Sequence, residues 1–198
     1  MHNDIGTFEE WSIRYDHYDA TDEDRREALF ALGNGYVVSR AATPESSEDR
    51  LHYPGTYRVG CYNRLTTTIE GRDVENESLV NLPNWLLLRF RIEDEGWFSM
   101  EDVEILDYRQ ELHMDHALLE RSFRFKTKQG RICQLYEKRF VSMAQEHLLL
   151  LQQEITAENW SGTLEICSGL DGAVRNNNVA RYAPFSKHHL ETLSADRI

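Results

Sequence analysis

Apolar and polar positions alternate along much of this chain with a period of two, the repeat that sends successive side chains to opposite faces of a β-strand. In ERSFRFKTKQGRICQLYEKRF, Phe123 and Phe125 alternate with Arg124 and Lys126, TKQG supplies a turn, and Ile132 opens a second alternating run. A two-stranded hairpin is predicted there. Strands are likewise predicted for YVVSR, TYRVGCYNR, LTTTIEG, NWLLLRFRIE, VEILDYRQELHM, LLERSFRFKT, RICQLYEKRFVSM and GTLEICSGLDG, all rich in β-branched and aromatic residues and divided by turn signals. EHLLLLQQEI has helix-favouring residues but lies between strand-like runs, and a buried strand is expected. Within LVNLPNWLLLRFRI, Pro83 lacks a ladder donor and belongs at a strand's start or edge. Beyond it Leu86, Leu88, Phe90 and Ile92 share one face, with Leu87, Arg89 and Arg91 on the other.

Helical character is confined to TDEDRREALFAL, where Thr21 is the expected N-cap, Asp24 stands three residues on, and Gly33 is the expected stop. The pattern predicts a mainly β fold, a large antiparallel β-sandwich with one short N-terminal helix. With 198 residues and no linker, low-complexity tract or repeat, one domain over residues 1–198 is expected.

Charge and cysteine content narrow the partners. A net charge of −12, from 34 acidic and 22 basic residues, opposes a sequence-independent hold on nucleic acid phosphates. No apolar run approaches the roughly 20 residues of a membrane-spanning helix, and the opening MHNDIGTFEEW lacks a basic and then apolar leader, so a cytoplasmic protein is expected. Cys61, Cys133 and Cys167 are odd in number and widely spaced, which suggests small core residues in place of a disulfide framework or zinc knuckle.

Little in the chain points to chemistry. HMDH sets His113 and His116 three apart around Asp115, and on a strand that spacing sends the imidazoles to opposite faces, so no metal site is expected. SKHHL pairs His188 and His189 with no ligand set nearby. LGNGYVVSR places Gly33 and Gly35 around Asn34, yet it is not GxGxxG and follows a helix, whereas a dinucleotide site requires a strand first. No GxSxG elbow occurs, and no acid and base pair stands out among the carboxylates, so no catalytic residue is assigned. At the polar corner before the Leu86 strand, Asn81, Asn84 and Trp85 suit turn formation and core packing first, and sugar contact second.

Five stretches in order, ALFALGNGYVVSRAA, HYPGTYRVGCYNR, GRDVENESLVNLPNW, KRFVSMAQEHLLLLQQEITAENWSG and LEICSGLDGAVRN, resemble the N-terminal domain of glycoside hydrolase family 65, from about Trp11 onward. The family includes maltose, trehalose, kojibiose and nigerose phosphorylases. The resemblance implies a supersandwich of the galactose-mutarotase-like kind, followed downstream by an (α/α)6 barrel that carries the catalytic glutamate, which has no matching position here. It also implies that the complete enzyme cleaves an α-linked glucose disaccharide by inverting phosphorolysis or by hydrolysis, with inorganic phosphate as co-substrate of the former and no cofactor, and that it is a homodimer, with this segment alone inactive. Val38 and Ala41 depart from the pattern, standing where the family has glycine. If a loop of the sandwich reaches a sugar, the expected contacts are Asn34, Tyr36 and Arg40 of the NGY stretch and Asn81, Asn84 and Trp85 of the corner. The competing reading is a free-standing carbohydrate-binding or mutarotase-like module.

Overall fold

The computed structural model describes residues 6–46, 51–176, 183–191 and 193. Strands Thr7–Glu9 (β1) and Ser12–Tyr15 (β2) lead to helix Glu23–Leu29 (α1), then to Leu32–Gly33 (β3), Val37–Ser39 (β4) and Thr56–Arg58 (β5). A hairpin of Tyr62–Ile69 (β6) and Arg72–Leu79 (β7) follows, and after it Leu88–Ile92 (β8). The meander Glu104–His113 (β9), Leu118–Lys126 (β10), Ile132–Val141 (β11) and Leu149–Ala157 (β12) then builds the main sheet, and Leu164–Ser168 (β13) closes the list. The main sheet has the antiparallel order β1-β2-β9-β10-β11-β12, while β13 pairs with β8, β3-β4-β5 form a small sheet, and β6 and β7 pair only with each other.

Alternation along the main sheet turns one face inward, and the smaller sheets cover that face. On β10 the inward set is Leu119, Arg121, Phe123 and Phe125, and on β11 it is Cys133, Leu135, Glu137, Arg139 and Val141, all buried. The apolar members gather in two lobes. One packs Ile13, Leu112, Leu119 and Val141 of the main sheet against Phe30, Leu32 and Val37. The other packs Phe123, Phe125, Cys133 and Leu135 against Phe90 and Ile92 of β8, with Phe98 stacked on Phe90 at 4.6 Å between ring centroids. Buried aromatic rings of this size dominate the apolar area withdrawn from water.

Between the lobes runs a polar rung: Tyr15 lies opposite Gln110, Gln110 opposite Arg121, Arg121 opposite Glu137, and Glu137 opposite Gln153. Unpaired charge in such a place would cost several kcal/mol, and the charged members are paired. Arg121 donates to both carboxylate oxygens of Glu45, at 2.7 and 2.8 Å, and to Glu137 at 2.9 Å. Glu137 also accepts from Arg139 Nε at 2.6 Å and Gln153 Nε2 at 3.1 Å, and Arg139 reaches the carbonyl of Ala42 at 2.7 Å. The network ties the segment carrying Ala42 and Glu45 to the middle of the sheet.

Several expectations shift in detail. The helix is shorter at both ends. Thr21 caps no helix; its N–H and hydroxyl donate to Asp19 Oδ1 at 2.9 and 2.7 Å. Asp22 is the N-cap, but its carboxylate holds Arg25 and Arg26 and makes no side-chain cap bond. At the other end Phe30 is fully buried in the first lobe, and Gly33 belongs to β3. TYRVGCYNR is two strands, divided at Gly60, whose φ of +73° only glycine adopts without strain. EHLLLLQQEI does form a strand, but β12 is the sheet's edge and only half-buried. Hairpin β10–β11 closes through TKQG as expected, with Thr127 N–H donating to the Arg131 carbonyl at 2.9 Å. Cys133 is a core residue, while Cys61 and Cys167 are partly exposed, and all three are free thiols.

Candidate functional site

The NGY stretch forms the β3–β4 turn. Asn34 Oδ1 accepts from the N–H groups of Tyr36 and Val37, each at 3.0 Å, while its Nδ2 donates to the carbonyls of Ser142 and Glu146 at 2.7 and 3.1 Å. One asparagine thereby shapes the turn and fastens it to the β11–β12 loop. Gly35, at φ +82°, permits the reversal. Val38 lies against Gly33, where an added Cβ would come within 3.2 Å of the valine Cβ, so the bulk moved to position 38 is accommodated by glycine across the pair.

Tyr36 is held between the Arg58 guanidinium, 5.0 Å from its ring centroid, and the His147 ring at 4.6 Å. It lines an open groove of about 300 Å3 together with Val38, Tyr57, Val59 and Tyr62. Val59 and Tyr62 are 64% and 61% exposed, which makes this groove a largely apolar feature of the surface.

The other nominated residues face inward. Arg40 Nε donates to the Tyr53 carbonyl at 2.9 Å and its Nη2 to Asp24 Oδ1 at 2.9 Å, with the guanidinium over the Tyr53 ring. Buried Asn81 accepts from Thr56 N–H at 2.9 Å and donates to the carbonyls of Pro54 and Arg175 at 3.0 and 3.2 Å. Asn84 pairs its backbone with Asp171, at 2.8 and 3.0 Å, and its Oδ1 accepts from Leu86 N–H at 3.0 Å. Trp85 Nε1 donates to Ser39 Oγ at 3.0 Å. Asn34, Tyr36, Arg40, Asn81 and Trp85 are therefore gathered around the small β3-β4-β5 sheet, while Asn84 bridges to Asp171. Of the six, Tyr36 alone lines the open groove.

Sequence reading missed the second polar feature. A cavity of about 180 Å3 beside α1 is lined by Tyr18, Thr43, Glu45, His52, Ser99 and Glu101. Glu23 is buried next to these groups, and burial pushes its carboxyl up to about 7 against the pull of Arg26 and Arg121. Its Oε1 has no hydrogen-bond partner among the described residues. Burial, with Glu23 adding to it, also raises the phenols of Tyr18 and Tyr108. Glu137 behaves oppositely: burial favours its neutral form, yet Arg121 and Arg139 outweigh it and hold the carboxyl at about 2. His52 Nδ1 lies 2.9 Å from Glu27 Oε1. A signal did exist, a charged residue interrupting the apolar face of LLERSFRF at Arg121 and of ICQLYEKRFV at Glu137.

HMDH requires a correction. His113 is the last residue of β9, and the four residues after it turn into β10. The two imidazoles consequently stack, with centroids 5.1 Å apart and planes at 19°, where strand geometry would have parted them. Among the described residues His188 and His189 join no group of three ligating side chains, His188 lying beside the Gly172 carbonyl at 3.3 Å and His189 near Asn63 and Asn176 at 3.4 Å.

The class these features define is an antiparallel β-sandwich domain with a buried ionic rung and an open apolar groove. A solved structure from the human microbiome, described as a kojibiose phosphorylase, shares the fold at a TM-score of 0.76 and 20% identity over 86% of this chain and 23% of its own. Residues 13–197 match the family model "Glycosyl hydrolase family 65, N-terminal domain", and the chain belongs to that family. An uncharacterized glycosyl hydrolase of Mycobacterium tuberculosis is 50% identical over 92% of this chain and 14% of its own length. Trehalose 6-phosphate phosphorylase of Lactococcus lactis is 33% identical over 93% of the chain and 24% of its own length, and kojibiose phosphorylase of Halothermothrix orenii is 30% identical over 93% and 22%. The chain thus spans a quarter or less of the length of these relatives. No helix among the described residues is long and apolar enough to cross a membrane.

Proposed function

We propose that this chain is the non-catalytic N-terminal sandwich of a longer cytoplasmic enzyme that cleaves an α-glucosidic disaccharide by inverting phosphorolysis. The observation that carries this reading is the family match over residues 13–197, joined to relatives whose names specify trehalose 6-phosphate and kojibiose phosphorolysis. In such a reaction one carboxylic acid protonates the leaving glycosidic oxygen while phosphate attacks the anomeric carbon from the opposite face, so no second carboxylate has to activate water. We place that acid in a downstream helical barrel. The engagement of Asn34, Arg40, Asn81 and Asn84 in holding loops favours a scaffold role for the sandwich. The groove at Tyr36 is the face we assign to the barrel and to the rim of its sugar site, with homodimer contacts elsewhere on the sandwich.

The test is stereochemical. The complete enzyme, given phosphate and kojibiose, trehalose or trehalose 6-phosphate, is expected to release β-glucose 1-phosphate, seen in proton NMR as an anomeric signal with a large diaxial coupling to H2 and a further coupling to phosphorus. An α-anomeric product, or sugar release that does not depend on phosphate, would remove inverting phosphorolysis. The 198-residue chain alone is expected to turn over none of these substrates.

A further inference from the structure

We infer that the β9–β10 turn is a binding site for one late first-row divalent cation, of the zinc and copper type, held by His113, Asp115 and His116. One ligand atom from each of these residues lies within 4.8 Å of the others. Among the described residues this is the only group of three such side chains. The backbone fixes the arrangement. His113 pairs with Leu118 across the hairpin, Ala117 takes φ +52° to close the turn, and Met114 N–H donates to the Trp11 carbonyl at 2.8 Å, which pins the turn against the β1–β2 connection.

Carboxylates outside the ligand set support the His113 ring. Glu120 Oε2 lies 3.2 Å from His113 Nε2, and an ionised carboxylate only accepts, so Nε2 carries the proton and Nδ1 keeps its lone pair. Glu111 Oε2 adds negative charge at 4.0 Å from the same nitrogen. These supports are themselves oriented, Glu120 by Tyr136 and Lys138, Glu111 by Arg109. A carboxylate behind a histidine fixes its tautomer and raises its basicity as a ligand, the usual outer support of a metal-binding imidazole. His116 Nδ1 lies 2.6 Å from Asp115 Oδ1, so the two exposed ligands already stand side by side at the turn.

The donor set decides the class of ion. Two imidazoles and a carboxylate suit zinc, copper or nickel, whereas magnesium and calcium take oxygen ligands. A tetrahedral ion with arms of ~2.0–2.1 Å needs its ligand atoms roughly 3.3 Å apart. Asp115 and His116 are more than half exposed, so side-chain rotation achieves that spacing without moving the sheet, and solvent fills the remaining position.

Calorimetric titration of the chain with zinc chloride is expected to show one equivalent bound, with no heat from magnesium or calcium at the same concentration. Copper(II) added in its place is expected to give an EPR spectrum with superhyperfine coupling to two imidazole nitrogens. His113→Asn with His116→Asn should abolish both signals, while Glu120→Gln, which leaves every ligand in place, should weaken zinc binding by about 10- to 100-fold. His116→Ala alone, at an exposed turn position, provides a variant whose folding is not in question and should lose stoichiometric binding. The inference is overturned if wild type binds no equivalent of zinc or copper, or if the His116 and double variants bind as wild type does, which would move the ion to other histidines such as His188 and His189.

Discussion

Glu23 and Glu137 show how one fold assigns opposite properties to two buried carboxylates. Glu23 has burial without a bonded cation and is raised to about 7; Glu137 has burial with two guanidinium partners and is lowered to about 2. Their effects on stability run in opposite directions. Between its ordinary 4.5 and about 7, Glu23 keeps a proton in the folded state that the unfolded chain has lost, so its contribution falls as pH rises through that window. Glu137 contributes fully above 4.5 and loses its contribution as pH falls toward about 2. Glu23→Gln keeps the neutral form at every pH and should therefore stabilise the chain at pH 8, by at most roughly 3 kcal/mol at ~1.4 kcal/mol per pH unit. At pH 5 the gain should be much smaller. Urea unfolding of wild type and variant at the two pH values checks this, and an equal difference at both would show that Glu23 does not titrate in that window.

At the scale of elements, the β6–β7 hairpin extends from the sandwich with both faces largely open. Its turn residues Glu70 and Gly71 both have positive φ, 51° and 78°, the paired left-handed conformation of a two-residue hairpin turn. Glycine tolerates this, whereas glutamate carries a Cβ that costs on the order of 1 kcal/mol there. Glu70→Asn, giving an Asn-Gly turn, should raise stability by up to that amount, read from the shift in the thermal midpoint, and a lowered midpoint would contradict the turn assignment. The same hairpin marks where the sequence stops being legible. Phe123 and Phe125 were readable as strand because one face of β10 is buried, and that burial is what imposes alternation on a sequence. RDVENESL has no buried face to impose it, so β7 carried no apolar period and went unpredicted. β1 and β2 were too short for the pattern to register. Thr21 could not be separated from Asp22 as the N-cap because the bond that decides it, to Asp19, lies in a turn before the helix. The HMDH stacking was hidden for a related reason: a strand end displaced by one residue changes parted imidazoles into neighbours.

For the whole molecule, the distribution of polar groups bears on the proposed scaffold role. Of the residues the sequence offered as sugar contacts, the asparagines and Arg40 were legible as polar and placed near aromatics, but nothing local reveals that their partners lie far along the chain, as Asn34 does with Ser142 and Glu146. The groove beside Tyr36 is open to a partner, and under the proposed function an exposed apolar surface of that kind is expected to be covered in the complete enzyme. That expectation separates two effects. Val59→Ser with Tyr62→Ser removes apolar area that the isolated 198-residue chain leaves in water, so its own stability should change by less than about 0.5 kcal/mol. In the complete enzyme the same pair should lower the thermal midpoint if, as proposed, the groove packs against a downstream barrel. Tyr36→Ala tests the sugar rim on the same face: a contact made equally in ground and transition states raises KM and leaves kcat unchanged. An aromatic contact worth about 1 kcal/mol corresponds to a roughly fivefold rise in KM. If the double variant destabilises the isolated chain as much as the complete enzyme, the groove is part of the sandwich's own packing; if Tyr36→Ala alters neither constant, the disaccharide lies out of its reach.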